Sequence, residues 1–226
     1  MDLTKLIEKQ RELDERIVRE KGLKGQNLFP NSIIALQVEL SEMANEARWF
    51  KHWSNDQEPR TKVACSECRG NGGYYHRFQD AQKRTNKMTC FMCGGSGFQH
   101  NKNPLLEEYA DSTHFFLSTA IQKGWEAALY VYPEQLEPFE FDGGMTGIFL
   151  EMLYFINKAN FENPSKEENE KWESYFGFPA KQYWFRSAWI LFLNIGLHGF
   201  GFTLDQIEQA YIAKNEINHK RQSTGY

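Results

Sequence analysis

Apolar residues recur at three- and four-residue intervals through most of this chain, and that period predicts a protein built of helices. Residues 2–20 carry a stripe of Leu3, Leu6, Ile7, Leu13 and Ile17, with Gln10 on or beside it. Residues 21–30 hold Gly22, Gly25, Asn27 and Pro30 and read as a loop, after which Asn31 or Ser32 caps the next helix. That helix, residues 33–54, reads IIALQVELSEMANEARWFKHWS and ends in an aromatic and basic cluster. A second strong helix, residues 105–124, reads LLEEYADSTHFFLSTAIQKG. Residues 125–144 look irregular, 145–160 helical and apolar, and 166–176 helical and charged. Pro179 starts a helix that runs into the apolar tract 187–202, terminated by Gly199 and Gly201 and suited to a core or a subunit interface. His114 and His198 lie in apolar helices and read as core residues. Thr203 and Gln206 form a capping-box pair for the last helix, with Leu204, Ile207, Tyr211 and, more weakly, Ile217 facing inward.

Residues 55–103 break the pattern. They are polar and Gly-rich, and they contain all four cysteines as Cys65-x-x-Cys68, 21 residues, then Cys90-x-x-Cys93. Four thiolates at this spacing suit a closed, tetrahedral structural Zn²⁺ site. A segment this poor in apolar residues needs such a staple to fold. Each half continues as Cys-x-x-Cys-x-Gly-x-Gly, which resembles the zinc modules of DnaJ-type chaperones. The expected division is a helical core of residues 1–54 and 104–226 around an inserted zinc-ribbon-like module of residues 55–103.

The two strong helices carry acidic pairs. Glu39 and Glu42 share one face of the first; Glu108 and Asp111, with Glu107 as a rival to Glu108, share one face of the second. Four carboxylates turned inward from packed helices would repel strongly unless a cation sat among them. Oxygen donors alone point to Mg²⁺ or Mn²⁺, and Mg²⁺ commonly shares its shell with water and substrate phosphates. At the C-terminal end Lys214, Asn218 and Arg221 fall on one helix face, where two cations and an amide could clamp a phosphate chain.

A net charge of −4 argues against a nucleic-acid binder working through a broad basic surface. The tract 187–202 is 16 residues long and interrupted by Asn194 and His198, too short and polar to span a bilayer. The charged N-terminus does not read as a signal peptide, so the cytosol is expected.

These motifs, taken in order, resemble the dimeric, all-α dUTPases of the all-α NTP pyrophosphatase group that includes MazG-like enzymes. LIEKQRELDERI looks like the first helix of that family, ELSEMANEARWFKHWS its E-x-x-E helix with an aromatic Lys/Trp segment, EEYADSTHFFLS its E-x-x-D helix, and AYIAKNEINHKRQSTGY its C-terminal segment. The resemblance implies an all-α helical bundle, a homodimer, and Mg²⁺-dependent hydrolysis of dUTP, or also dUDP, to dUMP. It implies that Glu39, Glu42, Glu108 and Asp111 hold two or three Mg²⁺, with Glu39 taking the proton of the attacking water. Lys214, Asn218 and Arg221 would neutralise the phosphates, with Lys51, Asn215 and Tyr226 as further candidates. Gln10 and Trp53 are the candidates for the uracil pocket. The insert is the departure from the family pattern. Hydrolysis of another nucleotide such as dCTP, or a non-catalytic regulatory role through the zinc module, stand as alternatives.

Overall fold

The computed structural model describes residues 1–76 and 86–225; Tyr226 lies outside them. Among the described residues there are seven α-helices: α1 (Leu3–Glu20), α2 (Phe29–Ala47), α3 (Pro104–Lys123), α4 (Gly144–Phe161), α5 (Lys166–Phe176), α6 (Ala180–Asn194) and α7 (Leu204–Ser223). A short antiparallel hairpin, β1 (Gly73–His76) and β2 (Asn86–Thr89), lies between α2 and α3 in sequence, with Gly73 opposite Thr89. The fold is the expected all-α bundle with a small cysteine-centred insert.

In α1 the stripe buries Leu6, Ile7 and Leu13, and Gln10 is buried with them. The Asp2 carboxylate caps the helix by accepting from the Lys5 N–H at 3.2 Å. The second helix starts earlier than expected. Neither Asn31 nor Ser32 caps it; Pro30 sits in its first turn, where a missing N–H leaves nothing unsatisfied. It also stops at Ala47 rather than running to residue 54. Arg48 adopts a left-handed conformation (φ 67°) and turns the chain so that its buried guanidinium meets Asp56. The aromatic segment beyond it is therefore not helical.

α2 and α3 pack along each other, joining Leu36, Leu40 and Met43 to Leu105, Tyr109, Phe116 and Leu117 in the main core. α7 covers α3 and α1, and α4 packs on α6. In α7 Ile207 and Tyr211 are buried as expected, whereas Ile217 is exposed, a turn too far round the helix. The capping box at Thr203 forms: its hydroxyl accepts from the Gln206 N–H at 3.1 Å.

The tract 187–202 is not one helix. α6 ends at Asn194 and a π-turn follows at Ile195–Gly199. Gly196 lies beneath Tyr109, so close that a Cβ there would sit 2.4 Å from the tyrosine hydroxyl. Ala188, Trp189, Phe192, Leu193 and Ile195 fill this chain's own core, so most of the tract's large apolar side chains are core residues. His198, placed in the core by its apolar neighbours, is exposed and contacts the Leu136 carbonyl at 2.9 Å. The stretch before α4 forms two 3₁₀ turns, Glu126–Leu129 and Pro133–Leu136. α6 pins them: the buried Arg186 donates to Ala128 O (2.8 Å) and Gln135 Oε1 (2.7 Å), and Trp189 Nε1 to Leu129 O (2.9 Å). Among the described residues no single helix is long and apolar enough to cross a membrane.

Candidate active site

Carboxylate oxygens of Glu39 and Glu42 on α2 and of Glu108 on α3 all lie within 4.8 Å of one another. The i, i+3 spacing puts each pair on one face, and the packing of α2 on α3 turns those faces together. Glu39 and Glu108 are half-buried, while Glu42 is exposed. Burial pushes the Glu39 carboxyl up to about 7, and Asp111, Glu42 and Glu108 push the same way. Glu108 rises to about 7 for like reasons: burial first, then Asp111 and Glu42. Asp111, one turn along α3, is raised by burial although Lys214 Nζ is ion-paired with it. Glu107 pairs with Lys102 at 3.4 Å and is not one of the three converging residues, although its charge bears on Asp111. The donor set is oxygen only, converging and short of positive charge, so its chemistry fits hard divalent cations.

Glu46 was missing from the sequence reading. Its charge bears on Glu108 and its carboxylate lies 3.8 Å from the Arg60 guanidinium. Its spacing, i+4 from Glu42 and i+7 from Glu39, was the available signal.

Beside the carboxylates lies a cavity of about 280 Å³ lined by residues of α1, α2, α3 and α7. Glu39 and Asp111 stand on its wall, as do Asn218 and Arg221; Leu13, Ile17 and Phe115 give its apolar part. Gln10 also lines it, but its amide is engaged. Gln10 Oε1 is 2.7 Å from His114 Nδ1 and accepts from the Tyr211 hydroxyl at 2.9 Å. Gln10 Nε2 donates to Asp14 Oδ1 at 2.8 Å.

His114 is buried and stacked on Tyr211 (4.0 Å between centroids). Burial pushes its pKa down to about 3, so the ring is neutral. Facing an acceptor oxygen, Nδ1 carries the proton, and Nε2 is left as a lone pair. That Nε2, Asp14 Oδ2 and Gln222 Oε1 are buried and make no hydrogen bond among the described residues, and all three residues line the cavity. Burial pushes the Asp14 carboxyl up to about 6, opposed by the nearby Ser118 hydroxyl, the Gln10 amide and the Arg11 charge. Asp14 escaped the sequence reading because an acidic residue at the edge of an amphipathic stripe looks solvated.

Other candidates lie elsewhere. Asn215 is buried between helices, with Nδ2 3.4 Å from Lys9 O, and does not line the cavity. Lys51 bonds to Asn45 Oδ1. Trp53 is 67% exposed, meets Phe50 and His52 edge-on, and is apart from the cavity wall. Lys214 borders the neighbouring groove between α3 and α7, as does Arg221.

In the insert, the four cysteine sulfurs lie within 4.8 Å of one another and are buried as a small core of their own. Cys65 and Cys90 sulfurs are 3.9 Å apart, Cys68 and Cys93 3.7 Å. A tetrahedron of Zn–S bonds near 2.3 Å has S···S edges of about 3.8 Å, so the cluster fits that metal. Gly72 and Gly97 donate their N–H to the Cys68 and Cys93 sulfurs at 3.2 and 3.3 Å. Both glycines have positive φ (+69° and +80°), and a Cβ on either would sit 2.4 Å from a facing carbonyl oxygen. Only glycine fits there.

In comparisons with known proteins, the family model described as dUTPase matches residues 2–69 and 84–226. The gap of residues 70–83 falls inside the insert, so both Cys-x-x-Cys pairs fall within the match. No curated protein matches the chain.

Proposed function

The chain belongs to the dUTPase family, and on that premise we propose that it hydrolyses dUTP, and also dUDP, between the α- and β-phosphates to give dUMP. The observation that carries this reading is the convergence of Glu39, Glu42 and Glu108 from separate helices beside a cavity whose buried acceptors lack donors. Glu39, Glu42, Glu108 and Asp111 would hold two or three Mg²⁺. When bound, Mg²⁺ neutralises phosphate charge and acidifies water. Glu39 Oε takes the proton of the attacking water, a role suited to a half-buried carboxyl ringed by like charges. Lys214 and Arg221 neutralise the phosphates, and Asn218 donates to them.

The base enters between Leu13, Ile17 and Phe115, where Asp14 Oδ2 accepts the imide N–H of uracil. Gln10, its oxygen already taken, holds Asp14 and His114 in place rather than reading the base. Residues 1–54 and 104–226 act as the enzyme core, and residues 55–103 as a module folded on structural Zn²⁺. Exposed Ile34 and Val38 on α2, with Leu150 and Tyr154 on α4, offer apolar surface to a second copy of the chain, as a homodimer. Buried free thiols that serve as metal ligands suit a reducing compartment such as the cytosol.

A second reading, dCTP as substrate, is favoured by one observation: three buried acceptors suit an exocyclic amine. The test is pyrophosphate release from a panel of deoxynucleoside triphosphates with Mg²⁺. dUTP is expected to exceed dTTP by a wide margin; equal rates would sink the uracil assignment. No metal-dependent hydrolysis of any of them would favour a regulatory protein.

A further inference from the structure

One residue of the insert ties together the ends of the two carboxylate helices. The Arg60 N–H donates to Glu46 O at 2.9 Å, and the Leu105 N–H donates to Arg60 O at 3.1 Å. Glu46 O belongs to the last turn of α2 and Leu105 N–H to the first turn of α3. Both groups lack partners within their own helices, so Arg60 caps one helix and starts the other. Its guanidinium lies 3.8 Å from the Glu46 carboxylate. Nearby, the buried Arg48 donates to Asp56 O from Nε (3.0 Å) and Nη2 (2.7 Å) and pairs with the Asp56 carboxylate at 3.2 Å. Residues 56–60 are thereby fixed across both helix ends.

The bonds continue up to the cysteines. The Gln99 N–H donates to Val63 O at 2.8 Å, and the Cys65 N–H to Gly97 O at 2.8 Å. Glu42 stands one turn before Glu46, and Glu108 about one turn after Leu105. A shift at the bridging residue therefore becomes a shift between the carboxylates. Those carboxylates bear like charge within 4.8 Å of one another and repel. Without a brace the repulsion would splay the helix ends.

We infer that Arg60 is a positioning residue, and that the cysteine-centred insert is a clasp holding the carboxylates of α2 and α3 at cation-binding distance. Resting on the carboxylate-site reading above, it gives the insert a task at that site: metal at the cysteines keeps the legs closed, and the closed legs set the acidic cluster.

The test is Mn²⁺ binding to the full chain, followed by the paramagnetic resonance signal of the free ion and without nucleotide. Three proteins are compared: the zinc-loaded wild type, the wild type after zinc removal by a chelator, and zinc-loaded Arg60→Pro, which lacks the N–H that reaches Glu46. Zinc content and helical circular dichroism are recorded for each. Removing supports behind metal ligands typically weakens binding about 10–100-fold. Weakening of that order in Arg60→Pro, with zinc and helicity retained, is the expected result. Arg60→Pro that keeps its zinc and binds Mn²⁺ as tightly as wild type overturns the inference while leaving the carboxylate site standing. Unchanged binding in a zinc-free, folded wild type also overturns it. A wild type that binds no Mn²⁺ overturns the carboxylate-site reading and this one with it.

Discussion

Lys214 on α7 is ion-paired with Asp111 on α3, and both side chains are mostly shielded, at 19% and 14% exposure. The same ammonium also opposes the upward shifts of Glu39 and Glu108. It is an internal counter-ion of the acidic cluster, brought there by a helix more than ninety residues further along the chain.

Lys214→Met should therefore weaken the proposed phosphate clamp and leave Arg221 as the remaining counter-charge to Asp111. The loss expected in kcat/KM is about 10²-fold, the scale seen when one charge-stabilising donor is removed. Steady-state rates of pyrophosphate release measure it. A rate equal to wild type would remove Lys214 from the clamp.

The carboxyls of Glu39 and Glu108 titrate near 7 in the folded chain against an ordinary 4.5. A raised carboxyl holds its proton in the folded state after the unfolded chain has released it. Its contribution to stability therefore falls as pH rises from about 4.5 to 7. The metal-free protein should lose melting temperature over that range, and the Glu39→Gln, Glu108→Gln double variant should lose less. Mg²⁺ needs the ionised form, so its stabilising effect should be larger at about pH 8 than at about pH 5. Scanning calorimetry at both pH values, with and without Mg²⁺, checks each statement. An equal Mg²⁺ effect at the two would contradict it.

Asp14 presents a lone pair to the cavity, and Gln10 holds its other oxygen. Asp14→Asn with that bond kept puts an N–H₂ where Oδ2 was. It faces the uracil imide donor to donor and the cytosine ring nitrogen donor to acceptor. The ratio of kcat/KM for dUTP over dCTP should fall by about 10²-fold or more, because a buried mispaired group is poorly tolerated. A ratio that does not move would take Asp14 out of base selection.

Gly196→Ala tests the packing of the π-turn. Its Cβ would fall 2.4 and 2.6 Å from Oη and Cζ of Tyr109, a fully buried ring that donates to Phe192 O at 3.0 Å and stacks on Phe192. The Tyr109 ring is fully buried, so its neighbours or the backbone must shift to make room. Overpacking of this kind costs about 1–3 kcal/mol. Urea denaturation should show a lower midpoint at unchanged slope.

The helices were legible where local chemistry marked them. The Thr203 and Gln206 box acts through neighbours in sequence. Acidic pairs at i, i+3 announced the cluster for the same reason. The end of α2 was hidden, because Arg48 turns left-handed to reach Asp56, a partner eight residues on, with no glycine or proline to signal it. The cavity beside the carboxylates was half hidden. Its polar groups, Asp14, His114 and Gln222, come from three helices and mean something only once those helices pack. Trp53 drew attention by chemical type alone, and type does not say which way a side chain faces.

The single hydrogen bond from the Gln99 N–H to Val63 O bears on how quickly the chain can fold. α2 and α3 must find each other although the chain between Ala47 and Pro104 is long. Tying residue 63 to residue 99 removes the middle of that chain from the search, and each halving of a loop lowers its closure entropy by about 0.6 kcal/mol. A metal taken up early at the four cysteines would therefore shorten the route by which the two halves of the bundle meet.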